Sequence, residues 1–170
     1  MKIITYSDLH LEFDAKITPP KNSDADLMVL AGDIITFADF EPLKRFLKNW
    51  QKPVLYVPGN HEYYTNQSME KMNNNFINWL ADNYSNVRCL LDDEISINGV
   101  NFFGGTMWTD FANSDSAMTH ALGQMNDFRK IYLGDNRLTP QDTVVFHQQF
   151  LRKLINWFEK DLSGARAVTT

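Results

Sequence analysis

The sequence lacks a second cysteine, because Cys89 is the only one in 170 residues, so no disulfide can form within the chain. A small secreted scaffold held together by disulfides is therefore disfavoured. Apolar runs of the roughly 18 residues needed to cross a bilayer are also missing. The N-terminus reaches the acidic residue Asp8 without an apolar signal segment. We therefore expect a cytoplasmic protein with no membrane partner.

Positive charge is scarce as well. The net charge of -5 and the isoelectric point near 5.3 disfavour a module that binds duplex nucleic acid, which normally carries a basic stripe. Nucleic acid stays open as a phosphodiester substrate, because a bound metal can supply local positive charge to an acidic protein. The 44% hydrophobic content favours a packed interior over disorder, and the length suits one domain, residues 1–170.

Short apolar runs recur along the chain, and each has the length of one strand. The run 26–31 is continuous rather than alternating, which is typical of a strand covered on both faces of a parallel sheet. The pair Asn98-Gly99 is a strong two-residue turn signal and predicts a hairpin. The predicted strands are 2–6, 26–31, 53–57, 87–91, 94–97, 100–103 and 165–170, and residues 14–25 are predicted to form a loop.

Apolar residues at spacings of three and four predict amphipathic helices between these strands. Ser68 is a suitable N-cap for one of them. Thr139, Pro140 and Asp142 have the order of an N-cap, a first-position proline and a capping-box acid. The predicted helices are 40–50, 68–80, 115–122 and 139 to near Gly164. Strands that alternate with helices predict an α/β fold.

Polar motifs follow three successive predicted strands, and they are Ser7-Asp8-Leu9-His10, Gly32-Asp33-Ile34 and Gly59-Asn60-His61-Glu62. The carboxyl ends of parallel strands meet at one edge of a sheet, so we expect these motifs to converge. The Asp-x-His spacing places both side chains on one side if the extended conformation continues. Carboxylate, imidazole and amide oxygen together suit a divalent ion such as Mn, Fe, Zn or Ni.

A purely structural interpretation of these motifs is also available. Asp is a common turn former at strand ends, and Asn60-His61 can be a simple turn after Pro58-Gly59. The occurrence of all three motifs on successive strand ends favours the ligand interpretation. We predict that Glu62 is a structural carboxylate that supports the ligands rather than binding metal itself.

The motifs Asp8-x-His10, Gly32-Asp33 and Gly59-Asn60-His61-Glu62, in this order, resemble the first signatures of the calcineurin-like metallophosphoesterase superfamily. The stretches 108–111 and 125–129 look typical of its bacterial or phage-type predicted phosphoesterases. The sequence after Gly32-Asp33 does not continue into the Asp-Arg-Gly pattern of the Ser/Thr protein phosphatases, which disfavours that branch.

The resemblance implies a two-sheet α/β sandwich, two divalent metal ions and hydrolysis of a small phosphate mono- or diester by a metal-bridging hydroxide. It implies that Asp8 and His10 bind the first ion, that Asp33 bridges both ions, and that Asn60 binds the second. His61 would lie beside the leaving-group oxygen and act as the catalytic side chain.

The superfamily also supplies a later His and a Gly-His-x-His motif, and neither matches His10, His61, His120 or His147. We expect the chain to be the N-terminal portion of a longer protein, incomplete at the C-terminal end of the fold. The second metal site, with Asp33 and Asn60 as its predicted ligands, is expected to be weak. Two alternatives stay open: a fragment that binds metal weakly without turnover, and a non-catalytic scaffold. The strand edge near 165–170 is expected to promote self-association.

Overall fold

The computed structural model of the chain describes residues 1–13, 17–21 and 23–170. The first of its two main sheets is parallel, with the strand order β1-β2-β3-β4. These strands are β1 (Ile3–Tyr6), β2 (Leu27–Ala31), β3 (Val54–Val57) and β4 (Val87–Cys89). Residues 14–16 and 22 of the predicted loop 14–25 lie outside the described residues, and its described residues contain neither helix nor strand.

The second sheet has the order β5-β6-β9. The hairpin predicted at Asn98-Gly99 joins β5 (Asp93–Ile97) to β6 (Val100–Gly104), and β9 (Ala165–Thr169) pairs with β6 in parallel. A small antiparallel hairpin of β7 (Tyr132–Leu133) and β8 (Asn136–Arg137) precedes the last helix. This small hairpin was not predicted from the sequence.

The helices are α1 (Glu41–Leu47), α2 (Met69–Asn83), α3 (Asp115–Gln124), α4 (Asp127–Lys130) and α5 (Pro140–Phe158). Both predicted N-caps are confirmed: Ser68 accepts a hydrogen bond from the N–H of Lys71, and Thr139 and Asp142 form a reciprocal capping box. The first helix is shorter than predicted at both ends, and α5 ends at Phe158, before Gly164. Among the described residues, no helix is both long and apolar enough to span a membrane.

The two sheets pack against each other, and helices cover their outer faces. Alternate residues of β2 and β3, such as Val29 and Val57, belong to one buried cluster with Phe102 of the second sheet. Their neighbours Leu30 and Tyr56 belong to the core that includes α1 and α2. The aromatic side chains of α5 cover the other face of the second sheet through Phe103. Each fully buried apolar side chain contributes about 1.5–3 kcal/mol. The predicted α/β sandwich is thus confirmed, and burial on both faces explains the continuous apolar runs.

Candidate metal centre

The loops that follow β1, β2 and β3 run together beyond the carboxyl edge of the first sheet. The N–H of Asp8 donates to the carbonyl of Gly32 at 3.0 Å, and the N–H of His10 donates to that of Asp33 at 3.0 Å. The N–H of Gly32 donates to the carbonyl of Val57 at 2.9 Å. Backbone hydrogen bonds therefore continue past the strand ends and hold the polar motifs side by side.

Asp8, His10 and Asp33 adopt left-handed backbone conformations, with φ of 53°, 45° and 56°. The assumption that the chain stays extended through Asp-x-His is therefore wrong, because β1 ends at Tyr6. Non-glycine residues at positive φ are uncommon and cost on the order of 1–3 kcal/mol each. The surrounding hydrogen bonds hold this conformation, and such strain is typical of residues that have a functional role.

The side chains of Asp8, His10 and Asp33 converge. One carboxylate oxygen from each aspartate and one ring nitrogen of the histidine lie within 4.8 Å of one another. Three atoms about 4.8 Å apart lie about 2.8 Å from a common centre, so an inward shift of about 0.7 Å or less each would bring them to a bond length of about 2.1 Å. Two carboxylates and an imidazole also match the preferences of borderline divalent metals. These residues fit one divalent ion.

Asn60 lies on the same side of the sheet edge and lines a cleft of about 310 Å³ together with Asp8 and Asp33. Its Nδ2 is 2.7 Å from Oδ1 of Asp127 and 3.3 Å from the hydroxyl of Tyr64. The donor end of the amide is thus already bound within the protein. The carbonyl oxygen Oδ1 is the end that can accept a metal ion.

His61 is fixed at both its backbone and its ring. Its N–H donates to Oδ1 of Asp33 at 3.0 Å. Its Nδ1 lies 2.9 Å from Oε1 of Glu12 and 3.3 Å from Nδ1 of His10. Burial lowers the pKa of His61, and the negative charge of Glu12 opposes that shift. The ring is therefore close to the predicted ligands yet has a carboxylate partner of its own.

Glu12 is a candidate that the sequence analysis missed. Its carboxylate, with ring nitrogens of His10 and His61, forms a second group whose ligand atoms lie within 4.8 Å of one another. Both oxygens are buried: Oε1 lies 2.9 Å from Nδ1 of His61 without the geometry of a hydrogen bond, and Oε2 has no hydrogen-bond partner within the described part of the chain. The two-residue spacing of Asp8, His10 and Glu12 is not a reliable signal for this contact, because the chain is not extended here and Glu12 lies in a short 3₁₀ helix, Leu11–Phe13.

Glu62 is fully buried and connects the loop after β2 to the loop after β3. Its Oε2 accepts hydrogen bonds from the N–H groups of Asp33 at 3.0 Å and Gly59 at 2.8 Å. Its Oε1 accepts from the N–H of Ile34 at 2.8 Å and the hydroxyl of Tyr56 at 2.7 Å. Burial raises the pKa of Glu62 to about 7, and the hydrogen bonds from Tyr56, Ile34 and Gly59 oppose the rise. The contacts agree with the structural role predicted for this residue.

The remaining histidines lie elsewhere. His147 on α5 has its Nδ1 2.7 Å from the carbonyl oxygen of Trp108, so it connects the last helix to a wall of the cleft. His120 on α3 is exposed. Neither belongs to the groups of metal-binding side chains that the described residues form.

The fold is an α/β sandwich whose strand-end loops bring together side chains that could hold a divalent ion. Comparison with known proteins identifies the family. The model of the calcineurin-like phosphoesterases matches residues 1–166. The chain belongs to the calcineurin-like phosphoesterase family.

Two relatives illustrate the similarity. Uncharacterized protein L509 of Acanthamoeba polyphaga mimivirus is 26% identical over 188 residues, which cover 95% of this chain and 65% of L509. A protein of known crystal structure superimposes with a TM-score of 0.50 at 14% identity, over 89% of this chain and 63% of that chain. This second likeness concerns the fold alone. The chain spans slightly under two thirds of the length of each of these relatives.

Proposed function

We propose that the protein hydrolyses a phosphate mono- or diester of a small molecule, using divalent metal ions bound by Asp8, His10, Asp33 and Asn60. The observation that carries the proposal is the convergence of donor atoms from Asp8, His10 and Asp33 within 4.8 Å of one another, two of these residues lining the cleft. Membership of the calcineurin-like phosphoesterases supports metal-dependent phosphoester hydrolysis in general.

The ligand assignment is the one that the resemblance to the family implies, and the donors that each position offers support it. Asp8, His10 and Asp33 would hold the first ion, and Asp33 with Asn60 would hold a second, weaker one, since two donors bind less tightly than three. The donor set favours Mn, Fe, Zn or Ni over Mg alone. When bound, such ions supply an activated water and neutralise charge on the phosphoryl group.

His61 is the side chain that we propose to act on the leaving group, by donating a proton or a hydrogen bond to the departing oxygen. Burial lowers the pKa of His61, and the negative charge of Glu12, whose Oε1 lies 2.9 Å from Nδ1, opposes that shift. The hydrogen bond from the N–H of His61 to Asp33 keeps its backbone next to a proposed metal ligand.

The size of the cleft and the net charge of the chain suggest the substrate class. A volume of about 310 Å³ lies at the small end of ligand sites, which favours a small phosphorylated molecule. The net charge of -5 argues against duplex nucleic acid as a binding partner and leaves a phosphodiester substrate open. We expect the protein to act in the cytoplasm, because a single cysteine provides no intrachain disulfide.

The test combines metal titration with hydrolysis of p-nitrophenyl phosphate and bis(p-nitrophenyl) phosphate in added Mn²⁺. Asp33→Ala should lose both metal affinity and turnover, while the exposed helix residue Asp82 provides a matched control, Asp82→Ala, that changes neither. Metal binding by the parent chain without hydrolysis of either ester would contradict the proposal. That result would favour binding without turnover, the alternative that the two-donor second site supports.

A further inference from the structure

Asp127 is a buried carboxylate in the wall of the cleft. It begins helix α4, has 4% of its surface exposed, and lines the cleft beside Asn60. Within the described residues, no Lys, Arg or His nitrogen lies close enough to form an ion pair with it. An ionised carboxylate is costly to bury unless its oxygens are hydrogen-bonded, so the partners of Asp127 must compensate for that cost.

Both partners of Asp127 come from the loop after β3. Its Oδ1 accepts from Nδ2 of Asn60 at 2.7 Å and from the hydroxyl of Tyr64. The Asn60 contact joins residues that are 67 positions apart in the sequence. Burial, together with this carboxylate, raises the pKa of Tyr64, so its hydroxyl stays a donor. Two donors thus meet one oxygen in the wall of the cleft.

An ionised carboxylate can accept hydrogen bonds but cannot donate them, whereas an amide has one donor end and one acceptor end. The contact with Asp127 therefore fixes which end of the Asn60 amide points toward α4. We propose that Asp127 is a positioning residue that orients Asn60, so that the carbonyl oxygen Oδ1 is the end available to a metal ion. This inference rests on the proposed function, in which Asn60 is a metal ligand.

Helix α4 is well placed for this role because it packs against the body of the protein. Phe128 and Ile131 are buried in the core that includes α1 and α2. The carbonyl of Lys130 accepts a hydrogen bond from the N–H of Asn66 at 3.3 Å. Nζ of Lys130 also lies 5.1 Å from the ring centre of Tyr64. A partner on a packed element holds a ligand more accurately than one on a mobile loop.

The first test needs neither metal nor substrate. In the metal-free parent, the side-chain NH₂ resonances of Asn60 should show a hydrogen-bonded proton that exchanges slowly with water, unlike those of exposed Asn75. D127A should move these resonances to the chemical shifts of a solvent-exposed amide such as that of Asn75. D127N keeps an acceptor oxygen and should preserve them. Y64F removes a hydroxyl that both donates to Asp127 and accepts from Nδ2 of Asn60 at 3.3 Å, so it should shift these resonances less than D127A does.

The second test is calorimetric titration with Mn²⁺. D127A should weaken the lower-affinity site about 10–100-fold, as loss of an outer hydrogen-bond partner does, and change the higher-affinity site less than about twofold. D127N should recover most of the loss. If D127A does not fold, D127L serves as the apolar variant, with thermal unfolding as the folding control.

The proposal would be overturned if, in the parent protein, the side-chain NH₂ protons of Asn60 exchanged with water as fast as those of exposed Asn75. Equal weakening of both metal sites in D127A would do the same, as would a D127N variant as impaired as D127A. These outcomes are distinct from failure of the proposed function, because the amide resonances can be read in a protein that hydrolyses nothing.

Discussion

The carboxylate of Asp33 accepts a hydrogen bond from the backbone N–H of His61, with 3.0 Å between Oδ1 and N. This bond crosses from the loop after β2 to the loop after β3. It makes one side chain both a proposed metal ligand and the anchor of the proposed catalytic residue. A change that displaces Asp33 should therefore affect metal binding and the position of His61 together.

Gly59 allows the loop after β3 to approach Asp33 this closely. A Cβ at position 59 would lie 2.1 Å from Oδ1 of Asp33 and 2.8 Å from its backbone nitrogen. We predict that Gly59→Ala pushes the carboxylate away, lowers stability by about 1–3 kcal/mol and weakens Mn²⁺ binding at least tenfold. Urea unfolding and calorimetric titration would measure the two effects.

Gly123 provides the control for that substitution. It lies in α3, where a Cβ would meet no atom of the described chain within 4 Å. Gly123→Ala should leave metal binding unchanged and stabilise the protein slightly, because Ala is the better helix former. The steric argument would be wrong if the two alanine variants bound Mn²⁺ equally well.

Glu62→Gln should destabilise the metal-free protein. A glutamine nitrogen cannot accept a hydrogen bond, so at least one of the backbone donors Asp33, Ile34 and Gly59 loses its partner. A buried unpaired donor costs about 1–3 kcal/mol, and a decrease of that size in the free energy of unfolding is expected. Glu70→Gln on the exposed face of α2 should change stability by less than about 0.5 kcal/mol. Equal stability of the two glutamine variants would refute this role for Glu62.

The sequence predicted those features that local patterns determine. The buried strands appeared as continuous apolar runs because both faces of the sheet are covered, and the caps at Ser68 and Thr139 depend on residues three positions apart. Long-range polar contacts were not predictable. The partner of Asn60 is 67 residues away on a four-residue helix, which is too short to show a hydrophobic period. The left-handed conformations of Asp8 and His10 depend on backbone bonds to the next loop, which no local pattern reveals.

His61→Ala should lower turnover while metal content stays nearly unchanged, because the ring is proposed to act on the leaving group. Loss of a general acid typically costs about 10²–10⁴ in rate. The loss should be larger for an alkyl phosphate than for p-nitrophenyl phosphate, since a nitrophenolate departs without protonation. Parallel measurement of bound Mn²⁺ separates the two roles. An equal loss of metal and turnover would show that His61 is a ligand.

Glu12→Gln tests the partner of that ring. The carboxylate lies 2.9 Å from Nδ1 of His61 and 3.6 Å from Nδ1 of His10, so it can serve either histidine. If it supports His61, the variant should reproduce the leaving-group dependence of His61→Ala in weaker form, at normal metal content. A lowered metal content would instead assign Glu12 to the ligand set. Glu70→Gln again provides the control.

Strand β9 offers a route to self-association. In the described part of the chain it pairs with β6 on one side, so its other side presents unpaired backbone groups, and Val168 is 41% exposed. Such an edge can pair with a second copy of itself, and a lysine commonly prevents this. We predict concentration-dependent association in sedimentation velocity that Val168→Lys reduces. Val145→Lys, at a similarly exposed position on α5, should not reduce it. A monomer at high protein concentration, or an equal response to both lysines, would exclude association through β9.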